Sequence, residues 1–154
     1  MWILRFLTAV LGLFGRARSP AMMLNLTVPR SGYRVQRDFA YGGAPRQRYD
    51  LYLPKALAGP APILLFFYGG AFRAGRKSEY RVVGEAFASK GIIVAVADYR
   101  IYPEAHFPDF LEDGAKVLAA VPQAEFHPIE DAAHIPHYEH PEVVNPIVIA
   151  FLKR

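Results

Sequence analysis

Two uninterrupted apolar runs do most to limit what this chain can become. Ile63-Leu64-Leu65-Phe66-Phe67-Tyr68 carries no charge and stops at Gly69-Gly70, and Ile92 to Ala97 repeats the pattern about thirty residues later. A strand exposed on one face alternates polar and apolar residues. A run without alternation suits a strand buried on both faces, as in a parallel sheet. Between the runs, Ser78 reads as a helix N-cap, Tyr80, Val83, Ala86 and Phe87 form one apolar helical face, and Gly91 is a stop signal. Strand, helix, strand at this spacing predicts two parallel strands joined by a right-handed crossover.

The flanking segments extend that unit. Tyr33, Val35, Arg37 and Phe39 recur at a spacing of two, Gly42-Gly43-Ala44-Pro45 marks a turn, and Tyr49, Leu51 and Leu53 alternate with Asp50 and Tyr52 up to Pro54. This is the pattern of an antiparallel hairpin of half-buried strands. Downstream, a helix is expected from Pro108, with Phe110, Leu111, Val117, Leu118 and Val121 as its buried stripe and Pro122 closing it. Gln123 to Pro141 reads as a loop. Val143, Val144, Ile147, Val148, Phe151 and Leu152 then predict a C-terminal helix that Pro146 kinks or delays.

A length of 154 residues, 53% of them hydrophobic and 21% charged, fits one folded domain. There is no cysteine, so disulfides, a thiolate nucleophile and cysteine metal ligation are excluded. The net charge of +4 is spread over turns and strand-like runs rather than gathered on one face, which argues against nucleic acid as a partner. Residues 1–14 are apolar apart from Arg5, with Arg16 and Arg18 where a signal-peptide cleavage site would need small residues. They are too few to span a bilayer, which takes roughly 20. The reading is an apolar N-terminal helical segment, 1–28, covering a cleft or touching a membrane surface, followed by a domain at 29–154. A cytoplasmic or membrane-associated location is favoured over secretion.

The chemistry centres on Gly69-Gly70-Ala71, directly after a buried strand. Glycines there serve a tight turn, or turn the backbone so that successive amides point at one spot and stabilise an oxyanion. Four ordered segments favour the second. Arg46-Gln47-Arg48-Tyr49-Asp50-Leu51-Tyr52-Leu53-Pro54, Tyr68-Gly69-Gly70-Ala71-Phe72-Arg73-Ala74-Gly75, Asp98-Tyr99-Arg100-Ile101-Tyr102-Pro103 and Phe107-Pro108-Asp109-Phe110-Leu111-Glu112-Asp113 resemble the α/β-hydrolase superfamily, in its small esterase branch of feruloyl-esterase-like and hormone-sensitive-lipase-like enzymes. The run Asp131 to Glu142 resembles the loop that carries that superfamily's catalytic histidine.

The resemblance implies an α/β fold, Gly69, Gly70 and Ala71 as the oxyanion hole, His134 as general base, and a small ester as the substrate of intact relatives. Tyr68 stands where the motif often has histidine. The resemblance also calls for a G-x-S-x-G elbow, and none of the four serines, Ser19, Ser31, Ser78 and Ser89, lies in such a setting. The expected architecture is therefore an incomplete α/β-hydrolase fold: hairpin, parallel strand-helix-strand unit and C-terminal helix, with residues 33–121 as the N-terminal half and 127–154 as histidine loop and last helix. Such a chain is expected to lack activity and to self-associate through an open sheet edge. The alternatives are a non-catalytic binding module and a peripheral membrane protein.

No cofactor is implied. His127, Glu130, Asp131, His134, His137, Glu139, His140 and Glu142 crowd into sixteen positions, but Pro136 and Pro141 prevent one helix from presenting the histidines together, so no metal site is assigned.

Overall fold

The computed structural model describes residues 20–57, 59–121, 125, 127–132 and 136–153. The chain divides into two compact units, one ending at Ala120 and one beginning at Val121. The apolar segment 1–14 and His134 lie outside the described residues.

The first unit is built on a four-stranded sheet. Strands β1 (Tyr33–Ala40) and β2 (Arg48–Pro54) form the expected antiparallel hairpin, with Tyr33 opposite Pro54 and Ala40 opposite Arg48. The register shifts between Gln36 and Phe39, where Asp38 takes a φ of 63°. Strands β3 (Ile63–Phe67) and β4 (Ile93–Ala97) pair in parallel, Ile63 with Ile93 through Phe67 with Ala97. The order is β1-β2-β4-β3.

That order corrects one expectation. β4 has a neighbour on each side, and Val94, Ala95, Val96 and Ala97 are fully buried. β3 is the outer strand; its residues are half-buried and Phe67 is exposed. Both runs are equally apolar in sequence, because apolarity does not report which strand is flanked.

Tyr33, Tyr52, Ala88, Val94 and Val96 form the core on one face, with Val35, Leu64, Phe66 and Tyr80 packed against it. Helix α1 (Pro20–Leu24) precedes the sheet, and helix α2 (Arg81–Ala88) covers the core face. The contact of α2 runs through Gly84 and Ala88, not through Ala86 and Phe87, which are exposed. Gly84 is where the helix comes closest. A Cβ there would collide with the ring of Tyr52, so only glycine lets helix and strand meet. Ser78 is not the cap either; it lies in a 3-10 turn, Lys77–Tyr80. The first-turn amide of Val82 instead donates to Oδ1 of Asn25 at 3.0 Å, while Nδ2 of Asn25 donates to the Ser78 carbonyl at 3.1 Å. A side chain from far upstream thus does the capping work that a local serine usually does.

Helix α3 (Asp109–Ala120) follows Pro108 as expected. Its buried stripe is Asp113 and Val117, flanked by half-buried Phe110 and Leu118, whereas Leu111 is exposed. A carboxylate bonded to Arg100 occupies the middle of the buried stripe and fixes the helix's rotation.

In the second unit, α4 (Pro136–Glu139) is a short turn of helix within the expected loop, and α5 is Pro141–Leu152. Pro146 lies inside α5 without delaying its start; it deletes one intrahelical bond. The half-buried positions of α5 are Val144, Ile147 and Phe151, and Val143 and Val148 are exposed. Among the described residues no helix is long and apolar enough to cross a membrane.

Candidate functional site

The site lies where β3 and β4 end together. Parallel strands deliver their C-terminal ends to the same rim, so the loop leaving Phe67 and the loop leaving Ala97 are neighbours. Tyr68, one residue past β3, is buried between two other tyrosine rings, stacked on Tyr80 at 5.1 Å and on Tyr99 at 5.0 Å. Its hydroxyl donates to Oδ1 of Asp98, the residue after β4, at 2.5 Å, and accepts from Nη2 of Arg46 at 2.8 Å. Burial, and then the bond to Asp98, push the Tyr68 phenol well above the ordinary tyrosine range. Tyr68 is therefore held protonated and acts as a structural donor.

Arg46 ties the two loops together. Its Nε donates to the Tyr99 carbonyl and its Nη2 also donates to the Gly75 carbonyl, each at 2.8 Å. Asp98 completes the brace by accepting the Lys77 amide at 2.7 Å, and its own carbonyl accepts the Tyr41 hydroxyl at 2.6 Å. The Tyr99 hydroxyl donates to the Tyr68 carbonyl at 2.7 Å.

On this base sits the loop 69–75. Gly70 has a φ of 146°, and a Cβ there would collide with the Ala74 carbonyl, so the turn requires glycine on both counts. The Gly70 carbonyl accepts the amides of Arg73 (2.9 Å) and Ala74 (3.1 Å). Ala71 and Phe72 both take left-handed φ values, 52° and 58°, which cost roughly 1–2 kcal/mol each for a residue with a Cβ. The Tyr102 amide bonded to the Phe72 carbonyl at 2.8 Å, and the stack of Phe72 on Phe110 at 4.1 Å, hold that conformation. Among the described residues the amides of Gly69, Gly70, Ala71 and Phe72 donate to no protein acceptor, and all four residues are exposed.

Two further networks stiffen the rim. Asp113 accepts from Nη2 (2.8 Å), Nε (3.0 Å) and the amide (2.9 Å) of Arg100, and from Nε2 of Gln47 at 2.7 Å. Burial works to raise the Asp113 carboxyl, but the bonds from Arg100 and Gln47 outweigh it and hold the group below the usual carboxylate range. Across the sheet, Nζ of Lys77 donates to Asp50 at 2.5 Å and to Asp38 at 2.7 Å.

Of the residues singled out in the sequence, Gly69, Gly70 and Ala71 share this loop, whereas Ser31, Ser78 and Ser89 are exposed at other points of the first unit. Arg46, Asp98, Arg100 and Asp113 went unassigned. The signal was available: each stands within one of the four ordered segments, and Asp113 interrupts an apolar stripe four residues before Val117.

The BD-FAE family profile matches residues 49–125, half of the chain, and this interval contains the whole of the loop and both strands that present it. The chain belongs to the BD-FAE family. Its fold is that of α/β-hydrolases, carried in part. Over 87 residues this BD-FAE chain is 39% identical to the probable isoprenylcysteine alpha-carbonyl methylesterase ICMEL1 of Arabidopsis thaliana, covering 56% of this chain and 18% of that one. It spans about a fifth of the length of the curated methylesterases it matches. Among solved structures it is similar to the HSL-homolog EstE7 from a metagenome library, with 26% identity, a TM-score of 0.53, and 67% of this chain and 34% of that chain covered. Esterase B from Lactobacillus rhamnosis shares the fold at 22% identity and a TM-score of 0.60, over 77% of this chain and 38% of that chain.

Proposed function

We propose that this chain is the carbonyl-binding portion of a carboxylic-ester hydrolase and that, by itself, it does not hydrolyse esters. The observation that carries the reading is the 69–75 loop: strained at Ala71 and Phe72, braced by Tyr68, Asp98 and Arg46, and presenting amides without acceptors among the described residues. Backbone held in costly conformations by its surroundings is characteristic of ligand-binding turns. In an ester hydrolase a serine oxygen attacks the carbonyl, histidine takes the serine's proton, and amides at such a loop hold the developing oxyanion. Gly69, Gly70 and Ala71 are proposed for the last role and His134 for the second. No residue of the sequence is proposed for the first, since no serine has the G-x-S-x-G setting.

The substrate class follows from the relatives, which include a probable methylesterase and several esterases. A small carboxylic ester is the group the loop would face.

The test is direct. The purified chain is offered a short p-nitrophenyl ester and, separately, a fluorophosphonate probe that traps activated hydroxyls. No hydrolysis above buffer and no covalent adduct are expected. Turnover abolished by His134→Ala, or an adduct on any hydroxyl, would defeat the proposal.

One observation favours a second reading, an interaction module. β3 is the outer strand of the sheet among the described residues, and its sequence, ILLFF, has no charge to discourage pairing. Unpaired apolar edges recruit other strands. Membrane-surface contact through residues 1–14 is a separate proposal that vesicle flotation with and without that segment tests.

A further inference from the structure

Between the 69–75 loop and the 3-10 turn Lys77–Tyr80, the first unit has a surface cavity of about 340 Å³. Its polar wall is Arg46, Arg73, Arg76 and Glu79, its apolar wall includes Tyr80 and Ile101, and the peptide of Gly69-Gly70 forms part of the rim. That volume lies at the lower end of small-molecule sites, and the wall is more polar than theirs usually is, which points to a charged ligand.

The charges do not cancel. Arg46, Arg73 and Arg76, set against Glu79 of the lining and Asp98, which lies 3.9 Å from Arg46, leave one positive charge in excess. Two of the three guanidiniums are also placed rather than loose. Arg46 spends Nε and Nη2 on the Tyr99 carbonyl, the Tyr68 hydroxyl and the Gly75 carbonyl, so it is pinned, and its Nη1 donors have no acceptor among the described residues. Arg73 lies over the Tyr102 ring, 4.3 Å from its centroid, an arrangement that restricts a long side chain at an exposed position. A pinned guanidinium with one nitrogen still free offers charge-assisted donors to an oxyanion without first having to be ordered.

We propose that this cavity binds a small-molecule carboxylate carrying a short apolar body, with the carboxylate on the arginines and the body against Tyr80 and Ile101. A single excess charge suits a monoanion better than a phosphate dianion. The claim needs no catalytic step, so it stands or falls separately from the esterase reading.

Ligand-detected NMR on the full chain tests it, using butyrate, its neutral isostere butyramide, and inorganic phosphate as competitor at constant ionic strength. Saturation transfer to the butyrate methyl is expected, with none to butyramide. Arg73→Gln/Arg76→Gln, two exposed positions, is expected to weaken butyrate binding about tenfold or more, the loss of one charge-assisted bond or its equivalent. Arg76→Glu alone, checked for an unchanged circular dichroism spectrum, is expected to do the same. Equal transfer to butyramide, undiminished butyrate signals in both variants, or displacement of butyrate by phosphate at lower concentration than unlabelled butyrate would each overturn the assignment.

Discussion

The Tyr68 hydroxyl bridges Asp98 and the guanidinium of Arg46, giving its proton to the carboxylate at 2.5 Å while accepting from the cation at 2.8 Å. The phenol thereby links the residue after β3 to the residue after β4 and holds the glycine loop at a fixed height above the sheet. Tyr68→Phe keeps the stack with Tyr80 and Tyr99 but leaves one Arg46 N–H without its acceptor and takes from Asp98 Oδ1 one of its two donors, in a part-buried place. A loss of about 1–3 kcal/mol is expected from urea unfolding midpoints at neutral pH. An unchanged midpoint would mean that the bridge contributes nothing to holding the loop.

Gly84 supplies a sharper contrast, because propensity and packing point in opposite directions. In a helix, Gly→Ala gains close to 1 kcal/mol of intrinsic helix preference. Here the new methyl would overlap the ring of Tyr52, which is almost fully buried and has no room to withdraw. Overpacking costs about 1–3 kcal/mol, so Gly84→Ala is expected to lower the midpoint of chemical unfolding. A more stable variant would show that α2 sits further from β2 than this geometry requires.

These two sites also show how far the sequence could be read. The hairpin, the parallel pair and the helix after Pro108 follow from periodicity and turn residues, since Tyr33–Ala40, Arg48–Pro54 and the two apolar runs each contain their own local signal. What periodicity does not carry is order in space. Nothing in Ile63–Phe67 distinguishes an outer strand from a flanked one, and nothing in Ser78 says that Asn25 will reach the helix first. The same holds at the site. Gly69-Gly70 is visible because glycine has a meaning of its own, whereas Arg46 and Asp98 gain theirs only when β3 and β4 bring their ends together. Asp113 is an intermediate case, a charged residue set in an apolar stripe and hence a marker of a buried partner.

That partner, Arg100, makes stability depend on acidity. The Asp113 carboxyl is held below the ordinary aspartate value of 3.8 in the folded chain, so its contribution is complete above that value and is lost as pH falls through the lowered one. Asp113→Asn is expected to cost about 1–3 kcal/mol at pH 7, as a buried carboxylate is removed from a partly exposed arginine. It should also flatten the acid limb of a stability-against-pH curve below about pH 4, because the amide does not titrate. A variant with an acid limb as steep as the wild type would place the responsible carboxylate elsewhere.

The outer strand offers the last test. If chains associate through β3, a charge on that strand should separate them, since pairing would take the charged group out of water against an apolar strand. Phe67, 38% exposed at the end of β3, can accept lysine with little loss of core packing. Phe87 is exposed to nearly the same degree, 39%, but stands on α2 away from the strand edge, and makes a matched control. Sedimentation velocity over a range of concentrations is expected to show association in the wild type and in Phe87→Lys, and a shift toward monomer in Phe67→Lys. Equal effects of the two substitutions would assign the association to apolar surface in general. A wild type that stays monomeric throughout would remove the strand edge as an interaction site altogether.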